Sequence, residues 1–451
     1  MRGVGLAVVA ALAFVGGSAE AGAVRLQPGD IIVADIDLNN DGGLILVDPA
    51  TGKQTTLSTN AQPVNAGSSE LLDDPYDATV MPDGTVLAAE EVDAGDPNDG
   101  GVVGVNPRTG KQRLISNNAL AVNVGVAELF IDPWGVLYLP GTGVVVSDYN
   151  AFGEGGLIAV NLKTRRQRVL SSNDQPVNAG TSELFDNSVP RVALARSGQL
   201  VVGTDESVVG VAPSTGKQRL ISSNDQAVNA GSSEYLSTMV AIDVGPDGTL
   251  YVLNGDFTGG GVVGVDPATG KQRKVSANDL PVNAAAMMFS SPDGIATTLD
   301  GDLLVAQSSA PPAFGGMDGS LVRVDAETGA QSLLSSNDIP VNSGSSELFS
   351  EPYGVAVVPP RCATQFATLH GGPGRQTLRG TTAGDVIAGL GGRDRLKGRG
   401  ARDRACGGAG NDKLIGGGGR DILIGGPGRD ICVGGPGRDR ARSCEVRRSI
   451  R

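Results

Sequence analysis

Histidine is nearly missing from this 451-residue chain: His370 is the only one. Tryptophan is equally scarce, with Trp134 alone, and all aromatics together make up 4% of the residues. No cysteine precedes Cys362. The first 360 residues therefore hold no histidine base, no histidine metal ligand and no thiol nucleophile. Few aromatics beside 68 glycines argue against a helical core and for turn-dense β structure. Beyond the N-terminus no apolar run is long enough to span a bilayer, so no transmembrane segment is expected. At the N-terminus Arg2 precedes the apolar run Val4–Gly16 and then Ala19-Glu20-Ala21. That order predicts a secretory signal peptide over residues 1–21, cut after Ala21, with Ala23 as a second candidate. A soluble exported protein, secreted or held at the cell surface, is the expectation.

Charge divides the chain. Residues 1–360 hold 18 Lys/Arg against 41 Asp/Glu, whereas residues 361–451 hold 18 against 8. Such a split suggests two domains with different partners. In the basic part arginines alternate with aspartates at fixed spacing, which favours a structural role over polyanion binding, and nucleic acid is not an expected partner.

What is abundant is repetition. The stretch GVVGVDPATGKQRKVS (261–276) recurs as GLILVDPATGKQTTLS, GVVGVNPRTGKQRLIS, GLIAVNLKTRRQRVLS, SVVGVAPSTGKQRLIS and SLVRVDAETGAQSLLS, six copies spaced 51 to 59 residues apart. Each reads as strand, tight turn, strand, the Thr-Gly turn closing on a residue with positive φ. A second hairpin, such as AIDVGPDGTLYVLN (241–254), lies between copies. Four strands per repeat and six repeats predict an all-β fold, a six-bladed β-propeller. The chain enters at a second strand, DIIVAD (30–35), and ends the series with a lone first strand, EPYGVAVVPP (351–360), which should close the first blade. The Pro-x-Gly-Val-Ala-Val, x-Asp-Gly-x-Leu-Tyr-Val and Gly-x-Val-x-x-Val-Asp patterns resemble the six-bladed NHL and gluconolactonase-like propellers over roughly residues 25–360. The resemblance concerns fold, not activity. The expected division is propeller 22–360, linker 361–370 and a tail domain 371–451.

The links between blades carry paired asparagines five apart, Asn60/Asn65, Asn118/Asn123, Asn173/Asn178, Asn224/Asn229, Asn278/Asn283 and Asn337/Asn342. Glu70, Glu128, Glu183, Glu234 and Glu347 follow five residues later, with Met288 breaking the set. One reading caps loop backbone in each blade separately. The other makes the glutamates a ring at the channel mouth for a cation or polyol. Regularity favours capping for the asparagines; for the glutamates both readings stand. Tyr76, Trp134 and Tyr353 follow the blade prolines, where they could flank a sugar but are read first as core. Asp37-x-Asn39-x-Asp41-Gly42 matches the opening of a calcium loop without its downstream acid. Asp77, Asp243 and Asp293 fall on or next to inner strands, yet no catalytic constellation can be assigned. The expected role is non-catalytic binding or display towards an extracellular glycan or protein, as a monomer. The alternative is a metal-dependent hydrolase, lactonase or lyase at the channel mouth.

From Gly371 the period becomes nine: Asp385, Asp394, Asp403, Asp412, Asp421, Asp430 and Asp439 recur in phase, and Gln376 fills the slot before them. The best copies are Gly407-Gly408-x-Gly410, Gly416-Gly417-x-Gly419 and Gly425-Gly426-x-Gly428, each followed by x-Asp-x-apolar. This resembles the RTX (haemolysin-type) calcium-binding nonapeptide. The resemblance implies a parallel β-roll in which glycine carbonyls and aspartates of successive turns hold Ca²⁺, with Ile387, Leu396, Leu414 and Leu423 inside. Ala383 and Ala401 replace the third glycine of their copies, and Ala405 and Ala441 shrink the core. Arg393, Arg402, Arg420, Arg429 and Arg438 precede the aspartates, so a metal-free arginine–aspartate ladder is the competing support. Four cysteines allow three pairings. The short separation of Cys432 and Cys444, and the need to cap the roll's last turn, favour that pair and leave Cys362–Cys406.

Overall fold

The computed structural model describes residues 24–450 apart from 39–40, 66–70, 92–99, 124–128, 179–183, 186–188, 231–234, 256–259, 284–287, 310–318 and 343–347. Residues 1–21, where a signal peptide is expected, lie outside the described residues. Six four-stranded antiparallel sheets form the blades of a propeller. Their innermost strands are Pro75–Val80, Pro133–Leu139, Val192–Leu194, Met239–Val244, Pro292–Thr297 and Pro352–Val357. The last of these pairs with Ile31–Asp35, Val33 opposite Val355, so the end of the propeller chain completes the first blade as expected.

The second strands read as unbroken apolar runs because both of their faces are covered. Alternate side chains of Ile31–Asp35 or Val86–Glu90 point into the gaps on either side of the blade, and all five residues of each strand are buried. Each gap is one apolar cluster shared by two blades. Leu87, Ala89 and Val102 of the second blade meet Val144, Val146 and Ile158 of the third, and Ile31 and Val33 of the first meet Leu304 and Leu321 of the sixth. The Thr-Gly turn behaves as predicted: Gly52, Gly110, Gly216, Gly270 and Gly329 have φ between 71° and 76°. Arg165 takes the same conformation at φ 63°, and its Nε donates to Ile115 O at 2.9 Å.

The asparagine pairs divide their labour. The first of each pair folds its own link: Asn173 Nδ2 donates to Phe185 O at 2.7 Å while its Oδ1 accepts from Phe185 N at 3.1 Å. The second one joins blades rather than serving a single one. Asn178 Nδ2 donates to Ser172 O of its own link and to Gly216 O of the next blade's outer turn, and its Oδ1 accepts from Gln218 N at 3.0 Å. Gln218 Nε2 then donates to Ser171 Oγ, which donates to Gly216 O. The motif repeats for Asn65/Gln112, Asn123/Gln167, Asn229/Gln272 and Asn283/Gln331, and Asn342/Gln54 closes the circle.

The tail is a solenoid of two five-stranded parallel sheets, the first running from Leu369–His370 to Arg440–Arg442 and the second from Thr377–Arg379 to Val446–Arg448. Leu378, Ile387, Leu396, Ala405, Leu414, Leu423, Cys432 and Cys444 fill its narrow interior. Cys432 pairs with Cys444 and Cys362 with Cys406. The short hairpin of Arg361–Cys362 and Gln365–Phe366 seats the roll on the propeller face opposite the links, Phe366 N donating to Pro82 O at 3.0 Å.

Replacing Asn178 with alanine strips partners from Gln218 N, Ser172 O and Gly216 O at once. The expected loss is on the order of 1–3 kcal/mol, read as a lower urea midpoint; an unchanged midpoint would show the clamp to be dispensable.

Candidate functional site

The roll places its aspartates by arithmetic. Two nonapeptides make one turn, so residues 18 apart stack: Leu396 lies opposite Leu414, and Ala405 opposite Leu423. From Asp394 onward each aspartate uses one carboxylate oxygen to hold the turn before it. Asp403 Oδ1 accepts from Asp385 N at 2.9 Å, Asp412 Oδ1 from Asp394 N at 2.8 Å, Asp421 Oδ1 from Asp403 N at 2.9 Å and Asp430 Oδ1 from Asp412 N at 2.8 Å. The other oxygen, Oδ2, of Asp394, Asp403, Asp412, Asp421, Asp430 and Asp439 is buried and has no hydrogen-bond partner.

Burial first, and then for most of them the negative charge of acids in adjacent turns, pushes these acids up: Asp394 to about 6 and Asp403 to about 7, with Asp412, Asp421 and Asp430 raised as well. The first glycine of each copy belongs to the same arrangement. A Cβ added at Gly407 would lie 2.6 Å from Gly425 O and collide with Asp412 Oδ2, so the oxygens of two turns crowd the place a side chain would take. The arginine ladder has no contacts to support it. Arg393, Arg402, Arg420, Arg429 and Arg438 are exposed, and among the described residues no ion pair joins them to the aspartates.

Three positions depart from the pattern. Asp385 Oδ2 is taken by Thr381, whose N donates at 2.7 Å and whose Oγ1 donates at 3.1 Å, so this copy closes its turn internally. Gln376 donates its N to Asp394 Oδ1 at 2.8 Å but brings no carboxylate. Glu445 was not picked out in sequence because the final copy is shortened. It takes an aspartate's place, its Oε2 accepting from Asp430 N at 2.5 Å. Among the described residues no three His, Cys, Asp or Glu side chains converge on one point. An oxygen-liganded cation fits the roll through paired carboxylates and turn carbonyls, the donors hard cations take.

The propeller candidates separate. The five glutamates and Asn39 lie outside the described residues. Asp37 Oδ2 accepts from Ser350 Oγ at 2.9 Å, while Asp41 Oδ1 faces Asn60 Nδ2 at 3.4 Å. Tyr76, Trp134 and Tyr353 do come together: Tyr76 stacks on Trp134 with centroids 5.2 Å apart and meets Tyr353 edge-on at 5.0 Å. Tyr149, not anticipated, stacks on Trp134 at 4.5 Å.

Beneath these rings Arg191 crosses the channel. Its Nη1 donates to Asp77 Oδ1 at 2.7 Å, and its Nη2 donates to the carbonyls of Tyr76 and Tyr353 at 2.9 Å each. Asp243 Oδ2 accepts from Thr297 N at 2.6 Å and Asp293 Oδ2 from Ser308 N at 2.9 Å. The signal for Arg191 was in the sequence. The position after the blade proline, or after Met239 in the fifth blade, reads Tyr76, Trp134, Arg191, Val240, Asp293, Tyr353, and only there does a cation enter the series.

Second strands end in buried acceptors that hold the start of the inner strand. Asp35 accepts from Ser350 N and Glu351 N, Asp148 from Ile131 N and Asp132 N, and Gln307 from Ser290 N. Burial raises Asp35 and Asp148 to about 6 in spite of these amide donors.

Two outcomes are expected from the propeller acids. Arg191→Met leaves Asp77 buried without its partner and should cost about 3–5 kcal/mol, with Asp77→Asn restoring part of the loss; urea melts that show no rescue would contradict the pairing. Asp148 binds its proton more tightly folded than unfolded, so the stability it contributes is complete below about pH 4 and is lost as pH rises through 6. Asp148→Asn should therefore gain on the wild type by roughly 1–3 kcal/mol between pH 4 and pH 8; melting curves that stay parallel across that range would refute it.

Residues 370–405 and 407–441 match the RTX calcium-binding nonapeptide repeat, a family model of four copies. No curated protein matches the chain. Among solved structures it is similar to a candidate 6-phosphogluconolactonase from Bacteroides uniformis, at 14% identity and TM-score 0.44 over 74% of this chain and 100% of that one. It is also similar to the extracellular domain of a candidate hybrid two-component system from B. thetaiotaomicron, at 13% identity and TM-score 0.40. This chain covers 36% of that one's length. A catalytically inactive virginiamycin B lyase from Staphylococcus aureus gives 14% identity and TM-score 0.39 over 72% of this chain and 89% of that one. Likeness this distant says nothing of activity. The tail from 370 to 441 is thus a run of RTX calcium-binding repeats, carried by a six-bladed propeller.

Proposed function

We propose that this is an exported calcium-binding protein whose roll is completed by Ca²⁺ and whose propeller is a non-catalytic binding or display module for an extracellular glycan or protein. The observation that carries the metal reading is the row of buried, unpartnered Oδ2 atoms from Asp394 to Asp439. Bound calcium would supply the positive charge those atoms lack, and their oxygens would be among its ligands. The residues offer it four places between successive turns: Asp394 with Asp412, Asp412 with Asp430, Asp403 with Asp421, and Asp421 with Asp439. The turn glycines lend carbonyls, and Asp385 stays out because Thr381 already occupies it. With so thin an apolar interior, metal binding and folding are coupled.

The non-catalytic reading of the propeller rests on its channel. Asp77, Asp243 and Asp293 each accept hydrogen bonds from Arg191 or a backbone amide, and stacked aromatics lie above them. The proposed division remains signal peptide 1–21, propeller 22–360, linker 361–370 and roll 371–451.

Hydrogen exchange on the full chain tests the proposal. Amides of residues 371–451 should exchange fast in chelator and become protected at about millimolar Ca²⁺, the range of extracellular modules. Asp421→Ala, which removes a ligand from two proposed sites, should raise the calcium needed by about tenfold or more, while Asp385→Asn should leave it unchanged. Full protection of the roll in chelator would sink the calcium reading.

A further inference from the structure

The propeller part of the chain is acidic, so a cluster of unpaired cations on it calls for a reason. One lines an open groove of about 510 Å³ beside the junction with the roll. Its walls are the segment 24–26, the turn 83–85, the outer hairpin 104–113 of the second blade and the junction hairpin 361–366. Arg25, Arg108, Lys111, Arg113 and Arg361 stand in it against one carboxylate, Asp83. Among the described residues no ion pair neutralises any of the five.

Arg361 is held in place. Its Nη1 donates to Thr364 O at 3.1 Å, its Nη2 donates to Leu26 O at 3.2 Å, and its guanidinium lies 3.6 Å from the centroid of the Phe366 ring. Burial, and then the charges of Arg25 and Arg108, push its pKa down.

The second and third blades both exchange the acid of this turn for an asparagine and add a cation, Arg108 or Lys163, and the second blade's turn lies in the groove beside Arg25 and Arg361. The turn that reads Asp48-Pro49-Ala50 in the first blade and Asp266-Pro267-Ala268 in the fifth reads Asn106-Pro107-Arg108 here, losing an acid and gaining a cation. Asn106 still holds its turn, Oδ1 accepting from Arg108 N at 3.0 Å, so the exchange costs the turn nothing. Two other groups of cations on the propeller do have acids beside them. Arg323 pairs with Asp300 at 2.8 Å and Asp302 at 2.7 Å, and the groove holding Arg196 and Arg219 also holds Asp247 and Asp266. Cations of like sign gathered without counter-charge repel, and guanidinium forks match tetrahedral oxyanions.

We infer that this groove binds a small molecule bearing a phosphate or sulfate group, with Arg108, Lys111 and Arg113 on one wall and Arg361 and Arg25 on the other gripping the oxyanion. Its volume is within the range of small-molecule sites. The site does not rest on the calcium reading, since none of its residues is an aspartate of the roll.

Calorimetric titration of the full-length, calcium-loaded protein with glucose 6-phosphate, glucose 6-sulfate and plain glucose tests it. One or both charged sugars should bind and glucose should not; tighter binding of the phosphate or of the sulfate names the source of the oxyanion. The double variant Arg108→Ser/Arg113→Ser should weaken binding at least about tenfold, as loss of charged hydrogen bonds predicts. Arg219→Ser, on the acid-balanced groove, should not change it. Both replaced side chains are exposed, so an unchanged melting temperature certifies the fold. Absence of binding by either anion overturns the site. So does binding that survives the double variant and is abolished by Arg393→Ser/Arg429→Ser on the roll.

Discussion

Backbone and side-chain polar groups caught between blades must find partners, and this requirement organises the molecule. A propeller gains its apolar energy from flat sheets sliding face to face, an interaction with little power to fix register. The buried asparagine at the end of each link supplies what the apolar gaps lack: directional bonds between the outer edge of one blade and the outer turn of the next. Because Asn342 reaches Gln54, the series closes on itself, and the velcro strand Pro352–Val357 closes the inner side at the same seam. The first blade is thus tied at both its inner and outer strands to the last segments of the propeller.

The roll meets the same demand from the opposite direction. Its apolar interior is one residue wide per strand, and its aspartates satisfy one backbone amide each while keeping a second oxygen buried without a partner. In the propeller, buried carboxylates such as Asp35 and Asp148 spend both oxygens on backbone amides and need nothing further. That second oxygen distinguishes the row of acids in the roll from Asp35 and Asp148. It also separates Asp385 from its six successors, although all seven occupy the same slot of the repeat.

The channel, where a propeller enzyme would work, is spanned by Arg191 and covered by stacked rings. Buried oxygens without a hydrogen-bond partner occur in both parts, as Glu90 Oε1 in the propeller and as a row of six aspartate Oδ2 atoms in the roll.

Much of this was legible in the residues themselves. Six copies of a strand–turn–strand unit and an unmatched final strand prescribe a closed ring, because an open edge would be left otherwise. A nine-residue period of glycine and aspartate prescribes the roll, because only glycine admits the oxygens of two turns at once. Spacing alone did not reveal that the paired asparagines have different tasks, since one bonds 11 or 12 residues along its own link and the other across a blade boundary. Nor did it reveal Arg191, whose partners Asp77, Tyr76 and Tyr353 are more than a hundred residues away. Glu445 was hidden by a shortened last turn that breaks the period while keeping the hydrogen bond. Local pattern determined which elements form and how often. Which polar atoms end satisfied and which end bare was decided only when distant turns and blades came into contact, because hydrogen bonding is settled pair by pair in space.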